Sequence, residues 1–240
     1  MGKKTQLKLF IRSIILIVST IIMMYDVNLF KSIMNIEIIG SIKLHFIFWI
    51  CLMYEMVVVM IPMFNNESYS GKLYKKHYKE VKNYDFAQLN VFTKENDKRA
   101  IRSAIFWIVL NICIGYLYIK FEIDEIYMYW LFLFFYWSDM FCINVWCPFH
   151  KIITKNKCCN ECRIYNWGHL MYLTPLIHIK SIYTYSLITI GVFIFVQWEY
   201  LNKKYPERFS SVSNESLRCS TCNNACRYNP RKSLKKVNIT

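Results

Sequence analysis

The chain is written in apolar blocks, and the length of those blocks limits what it can become. Residues 9–25 (LFIRSIILIVSTIIMMY), 44–64 (LHFIFWICLMYEMVVVMIPMF), 104–119 (AIFWIVLNICIGYLYI) and 126–146 (IYMYWLFLFFYWSDMFCINVW) each approach the roughly 20 residues needed to cross about 30 Å of hydrocarbon. A fifth block, 170–198, is longer and interrupted. With 55% of residues hydrophobic, 18% aromatic and only 6 Gly and 5 Pro, the balance is not that of a soluble domain. The expectation is an all-α, polytopic transmembrane helical protein. Lys3, Lys4 and Lys8 precede the first block as in a signal peptide. The residues that follow it (MMYDVNLF) are too bulky for a cleavage site, so the block is read as a retained helix.

The net charge of +14 is explained by its distribution. Four cations lie at the N-terminus (Lys3, Lys4, Lys8, Arg12), nine in the 65–102 connection, four in 147–167 and nine after Trp198, together 26 of the 30. The opposite connections hold Lys31 and Lys43 balanced by Asp26 and Glu37, and then the acidic turn KFEIDE at 120–125. The positive-inside rule puts the N-terminus, both basic loops and the C-terminus in the cytoplasm of a cell with an inner (plasma) membrane. A charge placed this way serves orientation, and no nucleic acid is expected as a partner; the partner it implies is the lipid bilayer.

That orientation constrains the fifth block. Four crossings return residue 147 to the cytoplasm, so a single further crossing would strand a nine-cation tail outside. About 32 residues between Trp167 and Glu199 are too few for two full spans and a turn. A half-helix over roughly 168–178 followed by a full helix over 181–199 satisfies both limits, with Pro175 and Lys180–Ser181 as the break. The alternative is one tilted span with an external C-terminus. The expected architecture is four spans plus a re-entrant or short helical hairpin. Residues 1–199 form the membrane domain, with cytoplasmic loops at 65–100 and 147–167, and residues 200–240 form a basic cysteine-containing tail.

Seven of the 10 cysteines crowd into the two basic stretches at either end of that hairpin: Cys147, Cys158, Cys159 and Cys162, then Cys219, Cys222 and Cys226. In a reducing compartment structural disulfides are disfavoured, and close cysteine pairs more often mean metal or catalysis. Cys159-x-x-Cys162 and Cys219-x-x-Cys222 have the internal spacing of a tetrahedral thiolate site. The 56 residues between the pairs exceed those of a compact zinc ribbon, but the hairpin returns both ends to one face. Cys147, Cys158 and Cys226 are surplus to a four-ligand set and would complete or replace ligands. The Cys147-Pro148 dipeptide and the closely spaced triplet in the tail suggest iron–sulfur ligation, although the consecutive ferredoxin run is absent. Zinc and an iron–sulfur cluster both stay open. Lys157, Arg163, Arg218 and Arg227 flank the thiols and favour thiolate. His150 and His169 are further ligand candidates beside the loop.

Around DMFCINVWCPFHK (139–151) the chain resembles the membrane-anchored polyferredoxin subunits of anaerobic respiratory systems, which place Cys-x-x-x-Cys-Pro at the cytoplasmic end of a helix. Here Cys142 and Cys147 are one residue further apart, and the ferredoxin motifs of that family are missing. The stretch KNKCCNECRIYNWGHLMYLTPL, with YPERF and the C-terminal triplet, resembles a group of uncharacterised polytopic bacterial membrane proteins; that likeness implies no activity.

Glu55 and Asp139 are the carboxylates well inside predicted spans, where ionisable groups are functional candidates by default. Each lies about 10–12 Å from the cytoplasmic end of its helix at about 1.5 Å per residue, so the two share one layer. Asp139 and Cys142 lie on one helix face. A proton relay, a cation site or a quinone pocket would use such a layer; a buried hydrogen bond to Asn111, Tyr54 or Tyr136 would serve packing alone. The pattern as a whole implies a membrane metalloprotein with a cytoplasmic cysteine-rich site. Its activity would be electron or thiol transfer with a membrane or cytoplasmic redox partner, with Glu55 and Asp139 handling protons. The competing class is a transporter or non-enzymatic membrane factor in which zinc only staples the tail.

Overall fold

A computed structural model describes residues 3–39, 42–61, 63–64, 68–156 and 159–218. The elements follow the apolar blocks. Helix α1 (Lys3–Tyr25) is followed by a short α2 (Val27–Met34) and a two-stranded antiparallel turn, β1 (Glu37–Ile39) and β2 (Ile42–Lys43). Then come α3 (Leu44–Met60), the single turn α4 (Ser68–Gly71), α5 (Phe86–Lys120), α6 (Glu125–Asn144), α7 (Gly168–Leu173) and α8 (Ile182–Lys204). The protein is all-α in character, and four helices (α1, α5, α6 and α8) are long and apolar enough to cross a membrane. Helix α3 is apolar but shorter, at 17 residues. The starts of α2, α5, α6 and α8 are fixed by side chains that accept from the first-turn backbone: Asp26 from Asn28 N, Asp85 from Ala87 N, Asp124 from Ile126 N and Ser181 from Tyr183 N. Such caps satisfy amides that the helix itself leaves unpaired.

The half-helix expected at 168–178 is present as two pieces. Pro175 has no amide to donate, and α7 gives way at Thr174 to a 3₁₀ segment, Thr174–His178. Six α-helical and five 3₁₀ residues advance about 19 Å at ~1.5 and ~2.0 Å per residue. That is enough to carry the chain from mid-bundle to the far end, because the segment starts deep. Gly168 lies against Asp139 in mid-bundle, and His178 ends beside Tyr118 near the far end of α5. Helix α8 then returns, and Gly191 lets α7 approach closely: a Cβ there would meet Leu173 Cδ1 at 2.9 Å.

Contacts sort the connections into two ends. One gathers the 25–45 segment, the 120–125 turn and residues 178–183, tied by Lys31–Asp124 at 2.5 Å and by His45 edge-on to Tyr183. The other gathers the start of α1, the end of α3 and residues 72–86, 145–167 and 198–218. There Tyr74 donates to Met60 O at 2.6 Å, Lys79 and Val81 pair with Glu215 and Ser213, and Asn214 is fully buried. A small core of Leu73, Cys162, Trp167, Trp198 and Phe209 holds this cap together. The main core runs between α3, α6, α7 and α8 through Met56, Phe132, Tyr172, Leu173 and Ile194.

One difference from the sequence reading concerns residues 65–100. Helix α5 starts at Phe86 and runs 35 residues without interruption, so its first half is a polar helix standing on the basic end. Glycine and proline are both absent from 72 to 114, and nothing in that stretch breaks the helix.

Candidate functional site

The two carboxylates of the apolar blocks meet through a cation. Arg12 on α1 is 6% exposed and bridges them, with Nη2 at 2.9 Å from Glu55 Oε2 (α3) and Nη1 at 3.4 Å from Asp139 Oδ2 (α6). Its Nη1 also donates to Tyr136 O at 2.7 Å, and its guanidinium lies over the Tyr136 ring, 3.5 Å from the centroid. Tyr136 Oη donates to Glu55 Oε2 at 2.8 Å, and Lys8, one helical turn before Arg12, reaches Glu55 Oε1 at 3.3 Å. Two cations face two carboxylates, so the cluster is neutral, as a site in low dielectric must be to avoid a large desolvation cost. Glu55 and Asp139 do share one layer, and Tyr136 is the partner of Glu55 among those named from sequence. Asn111 donates instead within its own helix, to Trp107 O. Gly168 is part of this geometry: a Cβ on it would fall 2.4 Å from Asp139 Oδ1.

Asp139 also lines a cavity of about 410 Å³ between α5, α6 and the 147–165 segment. Helices α5 and α6 are joined by a tight turn yet stand apart here, bridged by rings rather than backbone packing. Trp107 meets Phe135 at 5.0 Å, and Phe149 closes over Phe106 and Trp107 at 5.7 and 6.0 Å. Four thiols belong to the same wall: Cys142 near the end of α6, Cys147 just beyond it, and Cys159 and Cys162 in the cap. Cys142 and Cys147 both line this wall. The amide of His150 points at Cys147 Sγ, at 3.4 Å. The neighbouring Cys142 side chain and the backbone amides of His150 and Phe149 hold the Cys147 thiol below its usual range despite partial burial. Burial acts the other way at Cys162, which is pushed up to about 11. Burial also lowers the His150 imidazole, which favours its neutral form.

Of the sequence-predicted ligands, Cys147, Cys159 and Cys162 are brought to this one cavity. Cys158, Cys219, Cys222 and Cys226 lie outside the described residues. Among the described residues, no three His, Cys, Asp or Glu side chains are grouped to hold a metal ion. His169 points away from the thiols, its Nδ1 lying 3.2 Å from Tyr172 Oη. Arg163, expected to flank the thiols, is committed to the cap. It pairs with Glu199, which also accepts from Trp167 Nε1 at 2.7 Å, and with Asp97 at 3.3 Å. Lys72, buried at 2% exposure, donates to Asn160 O at 2.8 Å and holds the Cys159–Cys162 turn in place.

No family model matches the chain, and no curated protein or solved structure is significantly similar to it.

Sequence reasoning missed two contributors. Arg12 was counted with the N-terminal flanking charges, although it stands four residues inside the apolar block that begins at Leu9. Trp107, one ring among many in an aromatic-rich chain, was not singled out. It lines the cavity, and its buried Nε1 has no hydrogen-bond partner among the described residues.

Proposed function

We propose that the chain is an integral plasma-membrane protein whose cysteine-rich site transfers electrons or thiol equivalents at the membrane surface, with its basic end in the cytoplasm. Most of its cations lie in the segments of the capped end, which supports that orientation. The observation that carries the chemistry is that Cys142 and Cys147 line one cavity together with the carboxylate of Asp139, with the His150 amide 3.4 Å from Cys147 Sγ. A thiolate is the attacking species in disulfide exchange. Cys147 would attack a partner's disulfide and release one partner thiolate. Cys142 would then close onto Cys147, releasing the second. Two partner thiols and one Cys142–Cys147 disulfide result. Asp139, on the same wall, would pass the Cys142 proton to the departing partner thiolate, and Glu55, joined to it through Arg12, would tune its charge.

The test is thiol mapping in native membranes poised across a series of glutathione buffers. A Cys142–Cys147 disulfide that forms and disappears reversibly, and is lost in Cys142→Ser, supports the reading. Two thiols that stay reduced under strong oxidant overturn it. A second reading is favoured by the convergence of Cys147, Cys159 and Cys162. In it, these three with Cys158, Cys219, Cys222 and Cys226 hold zinc or an iron–sulfur cluster. Stoichiometric zinc, or iron with acid-labile sulfide, in the purified chain supports that reading, and loss of the metal in Cys159→Ser would locate it.

A further inference from the structure

We infer that the aromatic cavity binds a lipid-soluble quinone, which accepts the two electrons of the Cys142–Cys147 pair; this rests on the thiol-transfer reading above.

The direction of access comes first. Phe106 on α5 and Phe134 on α6 line the cavity and are 51% and 37% exposed, and Trp146, just beyond α6, lines it at 47% exposed. The mouth therefore opens sideways, between α5 and α6, towards what would be acyl chains rather than cytosol. A ligand entering there is dissolved in the membrane. A volume of about 410 Å³ falls within the ~300–1,000 Å³ of small-molecule sites, enough for one substituted ring and the start of its tail.

The walls select among membrane-soluble molecules. Flat rings from both helices and from the 149 turn face the space, and aromatic pairs favour offset-stacked or edge-on contact with another ring. Trp107 offers its ring rather than its buried Nε1 to the space. Asp139 and the two thiols supply acid–base and redox groups on the same wall. An acyl chain would fill the space but use neither the flat rings nor the redox groups. A quinone presents a flat ring, carbonyl acceptors and a two-electron capacity in one molecule.

The electron balance closes without another reagent. Two S–H bonds break, one S–S bond forms between Cys142 and Cys147, and two electrons pass to the ring. Two protons arrive at the two quinone oxygens, giving a quinol. Asp139, one helical turn before Cys142 and on the same cavity wall, is the proton carrier. The quinol leaves by the lateral mouth, and a partner dithiol reduces the disulfide again.

The test uses the full chain, reduced and freed of reductant, in lipid nanodiscs without oxygen. A ring-tetrasubstituted quinone serves as the probe, because it has no open ring carbon for a thiol to add to. Quinol is read by absorbance and the cysteines are mapped by mass. One quinone should be consumed per chain with formation of the Cys142–Cys147 disulfide, and none in Cys142→Ser or Cys147→Ser. Trp107→Leu, which removes one of the stacking rings, should raise the half-saturating quinone concentration about 3–10-fold, with little change in maximal rate. If oxidised glutathione closes the disulfide but quinone does not, the quinone inference falls and the thiol reading stands. If neither closes it, the thiol reading falls. A co-purifying acyl chain that excess quinone does not displace also overturns the inference, as does Trp107→Leu with unchanged half-saturation.

Discussion

Replacing Arg12 by Met keeps most of the side-chain volume and removes the cation that joins three helices. The cost follows from what is left behind. Glu55 and Asp139, both less than a quarter exposed, lose their contacts at 2.9 and 3.4 Å with Nη2 and Nη1, and Tyr136 O loses a donor at 2.7 Å. Lys8 remains, but at 45% exposure it is solvated and shields only the Glu55 side. At an effective dielectric near 20, each charge contact at these distances is worth roughly 5 kcal/mol before desolvation is subtracted. Breaking a buried pair and stranding its partner costs about 3–5 kcal/mol net.

Arg12→Met alone should therefore destabilise the bundle by about 3–5 kcal/mol, a loss of roughly two to four powers of ten in the folding constant. The triple variant Arg12→Met, Glu55→Met, Asp139→Leu should recover most of that loss, because no charge remains buried and unpaired. The assay is equilibrium unfolding in mixed micelles, read by tryptophan fluorescence, with the three single variants and the triple compared. Independent sites add within about 0.5 kcal/mol. Additivity at that level would refute the idea that these three side chains form one electrostatic unit.

The other predictions bear on the same wall and on the cap. Gly168→Ala puts a methyl 2.4 Å from Asp139 Oδ1, so Asp139 must leave Arg12 or α7 must shift; about 1–3 kcal/mol of stability should be lost, and an unchanged unfolding midpoint would contradict the packing. The pH dependence of alkylation should separate two thiols. The reactive form is the thiolate, so the rate rises as pH climbs through each thiol's pKa. Cys147 lies below the usual range and Cys162 at about 11, so mass-mapped labelling at mildly alkaline pH should modify Cys147 and leave Cys162 protonated; the reverse order would show the hydrogen bond to Cys147 to be absent. Glu199→Gln weakens the Arg163 ion pair by about 2–3 kcal/mol and should open the cap, seen as faster hydrogen exchange at residues 159–167 than in α3.

What was legible in the sequence depended on whether a single residue was anomalous in its surroundings. Glu55 and Asp139 stand out because a carboxylate inside an apolar run has no cheap explanation. Counting residues to the helix ends sufficed to put them in one layer. The short helix at 168–178 was legible for a similar reason, since charge parity and chain length together allowed little else. Arg12 was not legible, because a basic residue near the start of a first helix fits the flanking-charge pattern equally well. Its role depends on contacts 43 and 127 residues away. The cavity was invisible for a deeper reason: it exists because α5 stands away from α6, and no residue in either helix announces a gap.

Those two unread features are connected. From the exposed end inward, the ion pairs run Lys8, Glu55, Arg12, Asp139, and Asp139 is where the charged layer meets the thiol cavity. A cluster built only to fix helix packing would have no reason to end on the wall of a space holding four thiols. If the cluster handles protons for those thiols, a conservative change far from any sulfur should alter the pH profile of Cys147 oxidation. Glu55→Gln, which keeps an acceptor for Arg12 and Tyr136, is that change. A profile identical to that of the parent chain, in a variant of normal stability, would reduce the cluster to a packing device.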